Sequence, residues 1–251
     1  MKTINQVDGF SKERFLQVVK RFWVLNQKKW LIGFAGGVGI LILIYLLNST
    51  QPTGYGNSGY AVLGVGLTLY KFGGYFLTSG IFNELGKKSS ASQMLTLPAS
   101  TLEKFLAGWF LTYFLYTIVV MGLLYLIGLF LEVNPILTTP PFSESTVDAS
   151  DFYFLDTLLT YTALHSVFFL GSIYFDGNHF LKTLLAIVLF FIGLGIISVI
   201  FTILIANDFN FSYQFVHSPE NMLFSVVFGK IAVAALFLFL SYRQLQNRQI
   251  A

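Results

Sequence analysis

The sequence contains no cysteine and little charge, since Asp, Glu, Lys and Arg make up only 11% of its 251 residues. Without cysteine the chain forms neither disulfides nor thiolate metal sites. A soluble domain carries about 25% charged residues, whereas 55% of this chain is hydrophobic. Lipid is therefore the predicted solvent for most of the chain. The net charge of +3 follows the membrane topology described below, so no nucleic-acid partner is predicted.

Six apolar stretches reach or approach the roughly 20 residues that a membrane-spanning helix needs. They cover residues 30–47, 60–85, 105–131, 157–175, 183–206 and 222–242. Polar or turn-forming sequence such as NSTQPTGYGNSG separates them. The predicted fold class is all-α, a polytopic integral membrane protein with one six-helix transmembrane domain over residues 30–251.

Among the segments that connect the predicted spans, every second one contains lysine or arginine and the others contain neither. Lysine and arginine occupy the leader before the first span, the connections after the second and fourth spans, and the tail. Connections 48–59, 132–156 and 207–221 contain no lysine or arginine. By the positive-inside rule, both chain ends are predicted to lie in the cytoplasm.

The leader, residues 1–29, has an amphipathic helical pattern. One half of the helical wheel is apolar and holds Phe15, Leu16, Val18, Val19, Phe22, Trp23 and Leu25. The other half is polar and holds Glu13, Arg14, Gln17, Lys20, Arg21 and Lys28. This pattern predicts a basic helix lying in the membrane interface; the alternative is a surface helix packed on a soluble domain, and the sequence contains no such domain.

No motif for catalysis is complete. The stretch GIFNELGKKSS resembles a phosphate-binding loop, but Gly80 and Gly86 are separated by five residues rather than four, and Lys88 replaces the hydroxyl residue. The three histidines fall in a span, an inner connection and an outer connection, so they form no common site. The chain is therefore predicted not to be an enzyme, with no catalytic, cofactor or metal site.

Three ionisable residues lie within predicted spans: Lys71, His165 and Lys230. Counting about 1.5 Å per residue from the outer ends, all three are roughly 12–17 Å deep. An ionisable side chain in the hydrocarbon core is energetically costly, and it usually faces a cavity or an interaction partner. One interpretation is a shared cationic cavity for anionic substrates or lipid headgroups. The other is that the lysines snorkel or bond backbone carbonyls while His165 is a packing residue.

The stretch LTLPASTLEKF, residues 95–105, contains a marked helix start. Ser100 and Glu103 match the S-x-x-E capping box, and Pro98 prevents an earlier helix from continuing. The apolar pattern then runs to Leu131, about 46 Å of helix against about 30 Å of hydrocarbon. This helix is predicted to begin in the cytoplasm or to be strongly tilted.

Gly33 and Gly37 form a GxxxG pattern in the first predicted span. This spacing permits close approach of two helices. With 22 glycines in the chain the pattern often arises by chance, so it is weak support for self-association.

The order of these features resembles the membrane subunit of type-2 ATP-binding-cassette (ABC) exporters. The leader segment RFLQVVKRFWVLNQKKW is similar to the interfacial connecting helix of that family. The stretch LTLPASTLEKFLAGW resembles the LPAS…EKF segment of small permeases from Bacteroidetes-like bacteria. The layout covers the whole chain and the specific motif about 15 residues. The segment NDFNFSYQFVHSPEN departs from larger members because it leaves little room for their re-entrant hairpin.

The resemblance implies a coupling helix that docks on the ATPase in the connection after the second span. Glu84, Lys87 and Lys88 would flank the docking surface. A supporting segment would follow, with Leu97, Pro98, Ser100, Glu103 and Lys104. It also implies a separately encoded ABC ATPase partner, a homodimer or heterodimer of permeases, and the cytoplasmic membrane of a bacterium.

Two other functions stay open on the sequence. One is a stand-alone secondary carrier or channel, which an inverted repeat or broken helices would favour; the halves show no internal similarity. The other is a structural or regulatory membrane protein without a transport path.

Overall fold

The computed structural model describes residues 9–49, 58–86, 88–132, 150–206 and 219–250, and within these ranges it contains helices and no strand. The predicted all-α class is confirmed there. The α-helices are α1 Lys12–Ser49, α2 Ser58–Ser79, α3 Lys88–Leu95, α4 Thr101–Trp109, α5 Tyr116–Phe130, α6 Ser150–Tyr174, α7 His179–Ala206 and α8 Pro219–Ile250. A 3-10 turn, Asn83–Gly86, precedes α3, and a π turn, Phe110–Leu115, joins α4 to α5.

Four described helices are long and apolar enough to cross a membrane. They are Lys12–Ser49, Thr101–Phe130, His179–Thr202 and Val226–Arg248. The remaining two long helices, α2 and α6, have 22 and 25 residues but carry more tyrosine, threonine and serine. They are the central helices: α2 packs against α1, α5, α6 and α7, and α6 packs against α7 and α8 as well. Several of their tyrosine and threonine hydroxyls hydrogen-bond within the protein.

The leader and the first predicted span form one helix, α1, which is about 57 Å long. The predicted apolar half of the leader is divided. Val18 and Phe22 are buried against the rest of the chain, whereas Leu16 and Trp23 are exposed. The leader therefore uses part of its apolar half for packing within the protein, and leaves the other part for lipid.

The second predicted span ends earlier as a helix than its apolar sequence indicates. α2 ends at Ser79, although the apolar run continues to residue 85. Ile81, Phe82 and Leu85 lie in turns and are buried in a hydrophobic core with Phe22. Hydropathy alone does not separate a residue that faces lipid from one that is buried among other helices.

Several segments that the charge pattern predicts to be cytoplasmic meet at one end of the bundle, called the inner end here. Arg248, near the end of α8, donates to the carboxylate of Asp176 at 3.1 Å and to the carbonyl of Tyr174 at 2.8 Å. It also reaches the Leu85 carbonyl at 3.5 Å. The start of α1 contacts α4. These contacts bring the chain's first and last described helices and the connections after α2 and α6 together at the inner end.

Helix α7 packs mainly against α6 and α2. From Val188 to Thr202 every residue except Gly193 is exposed, and the helix is apolar on all sides. A helix that is hydrophobic all round requires a non-aqueous environment. Lipid or another protein must therefore surround this helix.

Candidate functional site: the inner end and a tyrosine-rich core

The start of α4 is capped as the sequence predicts. The Glu103 N–H donates to the Ser100 hydroxyl at 3.2 Å, and the Ser100 N–H donates to Glu103 Oε2 at 2.8 Å. These reciprocal bonds make up the capping box. The predicted capping box is confirmed.

The other oxygen of the Glu103 carboxylate caps a second helix. Oε1 accepts the N–H of Ser11, the residue before α1, at 2.7 Å. It also accepts Nε and Nη2 of Arg14 at 3.2 and 3.0 Å. The Glu103 side chain has no exposed surface. One buried carboxylate therefore joins the starts of α1 and α4, where a negative charge also suits both helix dipoles.

A second ion pair lies two helical turns further along α1. Arg21 Nη2 is 3.1 and 3.3 Å from the two carboxylate oxygens of Glu84, and Nη1 is 3.4 Å from the Gln93 carbonyl. Glu84 belongs to the 3-10 turn and Gln93 to α3. Both arginines were predicted on the polar half of the leader, and the structure turns them toward the protein because carboxylates lie there.

Helix α3 forms a small projection between α2 and α4. Met94 is fully buried in the core of the inner end and anchors the helix. Ser92 and Gln93 are exposed on its other side, and the turn that follows contains half-buried Leu97 and exposed Pro98. The projection thus offers a polar face held in a defined position.

The remaining predicted coupling residues have different surroundings. Lys104 is almost completely buried, with 1% of its surface exposed, so its side chain is not on the outer surface of the protein. Lys88 begins α3. Lys87 lies outside the described residues.

The three predicted intramembrane residues have separate environments. His165 Nε2 lies 3.1 Å from the Thr112 hydroxyl, and the ring is buried against Tyr113, Tyr161 and Phe169. Lys230 pairs with the Asp156 carboxylate and donates to the Thr160 hydroxyl at 2.8 Å. Lys71 is half-buried in α2. Among the described residues, no hydrogen bond or ion pair joins any two of these three side chains.

The core beside His165 contains a group of tyrosines, called the tyrosine cluster here: Tyr70, Tyr75, Tyr113, Tyr116 and Tyr161. Each ring lies near Tyr161, with centroid distances of 4.4 Å for Tyr70 and 5.6 Å for Tyr75. Four hydroxyls have partners. Tyr116 donates to the Tyr70 carbonyl at 2.9 Å, and Tyr113 lies 2.8 Å from the Thr162 hydroxyl. The buried Tyr75 hydroxyl has no hydrogen-bond partner among the described residues.

The π turn supplies the acceptor for Tyr161. The Tyr116 N–H bonds to the carbonyls of Leu111 and Tyr113 and skips that of Thr112. The Thr112 carbonyl is therefore available, and the Tyr161 hydroxyl donates to it at 3.0 Å. π turns occur frequently at functional sites. Here the turn, which joins α4 to α5, accepts a hydrogen bond from Tyr161 of α6.

Glycines in α2 leave space for these rings. A methyl group on Gly74 would overlap the Tyr161 ring and approach the Tyr116 ring at 2.8 Å. Sequence reasoning did not identify the tyrosine cluster. Its signals were polar residues four apart within spans (Thr112 and Tyr116, Tyr161 and His165) beside the pair Gly73 and Gly74.

Fold and site together define an α-helical protein with four described helices suited to cross a membrane. Among the described residues, no group of three His, Cys, Asp or Glu is placed to hold a metal ion. Comparison of the chain with protein-family models, curated proteins and solved structures gave no match.

Proposed function

We propose that this chain is the membrane subunit of an exporter driven by a separately encoded ABC ATPase. It would cross the cytoplasmic membrane of a bacterium six times, with both ends inside, and would act as a dimer of permeases. The proposal combines the sequence resemblance with one structural observation. The connection between α2 and α4 contains an ordered helix, α3. Arg21 of α1 donates to the Gln93 carbonyl of α3 and pairs with Glu84 in the adjacent 3-10 turn.

This arrangement is suited to transmitting a movement of α3 to the helices that cross the membrane. An ATPase docked on Ser92 and Gln93 would move α3 together with the adjacent 3-10 turn. The Arg21–Glu84 pair would carry that movement to α1, while Glu103 would keep the starts of α1 and α4 together. Helix α4 continues through the π turn to the tyrosine cluster. A push at the inner end would thus reach the middle of the bundle.

The first test is purification of the tagged protein from its native membranes in mild detergent. We expect an ABC ATPase to co-purify in a fixed ratio and to hydrolyse ATP. A preparation that contains no such ATPase would overturn the proposal.

A matched pair of double variants tests the docking face. Ser92→Arg with Gln93→Arg adds charge to the exposed face of α3. Gln246→Arg with Asn247→Arg adds the same charge to exposed positions of α8 at the same end. We expect only the α3 variant to lose the ATPase. Equal loss from both variants would contradict docking on α3.

Topology is tested by cysteine labelling, which has no background because the chain lacks cysteine. In spheroplasts, a membrane-impermeant maleimide should label Asn48→Cys at the end of α1. It should label Gln93→Cys only after the membrane is permeabilised. Labelling of both positions in intact spheroplasts would contradict the proposed orientation.

A further inference from the structure

An open apolar groove lies between α1, α2 and α5. Its volume is about 470 Å³, within the range of roughly 300–1,000 Å³ found for small-molecule sites. Aliphatic and aromatic side chains form most of its walls, among them Leu41, Leu69, Phe76, Leu123 and Ile127. Phe76 is 57% exposed and Ile32, at the mouth, is 74% exposed. The groove therefore opens on the apolar outer surface of the bundle.

Glycines form the α1 wall of this groove. Gly33, Gly36 and Gly37 line it, and a Cβ atom built on any of them meets nothing within 4 Å. The GxxxG spacing of Gly33 and Gly37 therefore does not bring another described helix of this chain close to α1. It leaves open space along the surface of the helix instead.

A basic residue, Lys29, marks the inner end of the groove. Its ammonium group lies 3.3 Å from the Asn26 amide oxygen, and among the described residues it forms no ion pair with a carboxylate. Arg14, Arg21 and Arg248, at the same end, each have one. Lys29 thus carries a positive charge that its own surroundings leave without a negative partner.

The depth of the groove corresponds to one lipid leaflet. From Lys29 to Leu41, α1 rises about 18 Å, and half of a bilayer's hydrocarbon core is about 15 Å. Trp23 lies six residues before Lys29 and is 40% exposed, whereas Trp30 follows Lys29 directly and is buried; their ring centroids are 5.5 Å apart. Tryptophan is enriched at the level of lipid headgroups.

We propose that the groove binds an anionic phospholipid of the inner leaflet. One acyl chain would lie along the glycines of α1, between α2 and α5, and the phosphate would pair with Lys29. The headgroup supplies the negative charge, and the open mouth lets the second chain remain in the bilayer. This site does not depend on a partner ATPase or on transport: it requires insertion in a membrane, and the choice of the inner leaflet rests on the orientation proposed above.

The experiment is native mass spectrometry of the purified protein after delipidation. Dioleoyl phosphatidylglycerol and dioleoyl phosphatidylcholine are added in equal amounts, and the bound fraction of each is measured. We expect phosphatidylglycerol to be retained about fivefold more than phosphatidylcholine, the preference that one lysine near a membrane surface provides.

Lys29→Gln should abolish this preference, whereas Lys28→Gln should keep it. Lys28 is the matched control because it is an exposed neighbour that does not line the groove. Equal losses in the two variants would show a diffuse surface charge and would overturn the site. The same conclusion would follow if the unmodified protein showed no preference for phosphatidylglycerol.

Filling the groove provides a second test. Gly36→Leu should abolish retention of both lipids, since Gly36 lines the groove and a Cβ atom at this position meets nothing within 4 Å. Should this variant fail to fold, Leu123→Trp narrows the groove from α5. If either folded variant keeps its lipid and becomes monomeric where the unmodified protein is a dimer, the groove seats a second copy and the lipid proposal is wrong.

Discussion

The guanidinium group of Arg14 lies 3.0 Å from the carboxylate of Glu103, although 89 residues separate them in the chain. The same carboxylate oxygen accepts the N–H of Ser11, and the other oxygen caps α4. Arg14 thus pairs with a carboxylate that also accepts a backbone N–H from each of two helix starts. The capping box is therefore a connection between two helices as well as a local helix start.

Replacing Glu103 with alanine should destabilise the protein far more than replacing Ser100. Glu103→Ala leaves the N–H of Ser11 and the charge of Arg14 without their acceptor. We expect the free energy of unfolding to fall by about 2–3 kcal/mol. This is less than the usual cost of removing one partner of a fully buried ion pair, because Arg14 is partly exposed. Ser100→Ala removes one cap bond and should cost about 1 kcal/mol. Thermal unfolding in detergent measures both.

Glu13→Ala is the control for these variants, because Glu13 is an exposed carboxylate in the first turn of α1. It should change the melting temperature little. Under the exporter proposal, Ser100→Ala should also reduce transport per ATP hydrolysed while all spans stay inserted. A Glu103→Ala protein as stable as Glu13→Ala would contradict the shared cap.

Two alanine substitutions in α2 should have opposite effects. Gly74→Ala places a methyl group against the rings of Tyr161 and Tyr116, and such overpacking costs about 1–3 kcal/mol. Gly64→Ala enters open space in the same helix and should be neutral or slightly stabilising, since alanine favours helix over glycine. Melting temperatures of the two proteins give the comparison. Equal melting temperatures would show that the tyrosine cluster is looser than the structure indicates.

Removing the hydroxyl of Tyr161 and removing that of Tyr75 should affect the stability of the protein differently. Tyr161→Phe loses the bond to the Thr112 carbonyl and should destabilise by about 1 kcal/mol. Tyr75→Phe removes a buried hydroxyl that lacks a partner among the described residues, so it should be neutral or stabilising by up to about 1 kcal/mol. Thermal unfolding under identical detergent conditions tests the order. A larger loss in Tyr75→Phe than in Tyr161→Phe would contradict it.

The Lys230–Asp156 pair should behave as one unit. Lys230→Gln and Asp156→Asn each remove one charge from a partly buried ion pair, and each should destabilise by about 1–2 kcal/mol. Exchanging the two residues, Lys230→Asp with Asp156→Lys, should recover part of that loss. A double-mutant cycle on thermal stability, which compares Lys230→Gln and Asp156→Asn with the variant that carries both, measures the coupling energy. Additive single effects would show that the pair contributes no coupling energy.

These contacts change how the predicted cationic cavity is tested. A loss of transport in Lys230→Ala would mix a structural effect with any role in a pathway, because Lys230 has a carboxylate partner. Lys71→Ala is the clearer variant, since no described ion pair is lost with it. Normal transport by Lys71→Ala would remove the main support for a role of this lysine in a pathway.

Local patterns in the sequence predicted the local structure well. Ser100 and Glu103 predicted a helix start, and the apolar stretches predicted long helices, because capping and hydropathy act over a few neighbouring residues. Partners across the chain were not predictable in this way. Nothing near Arg21 in sequence indicates Glu84, and hydropathy did not show that Ile81 and Phe82 would be buried in turns.

The sequence by itself determined an all-helical chain for an apolar solvent, since its low charge and long apolar runs leave few alternatives. Through the placement of lysine and arginine it also predicts that the connections alternate between the two sides of the membrane. Only the tertiary structure decided that Glu103 caps two helices, that the π turn offers a carbonyl to Tyr161, and that Gly33 and Gly37 line an open groove. The physical reason is that each of these features depends on the distance between helices, which packing of the whole chain sets.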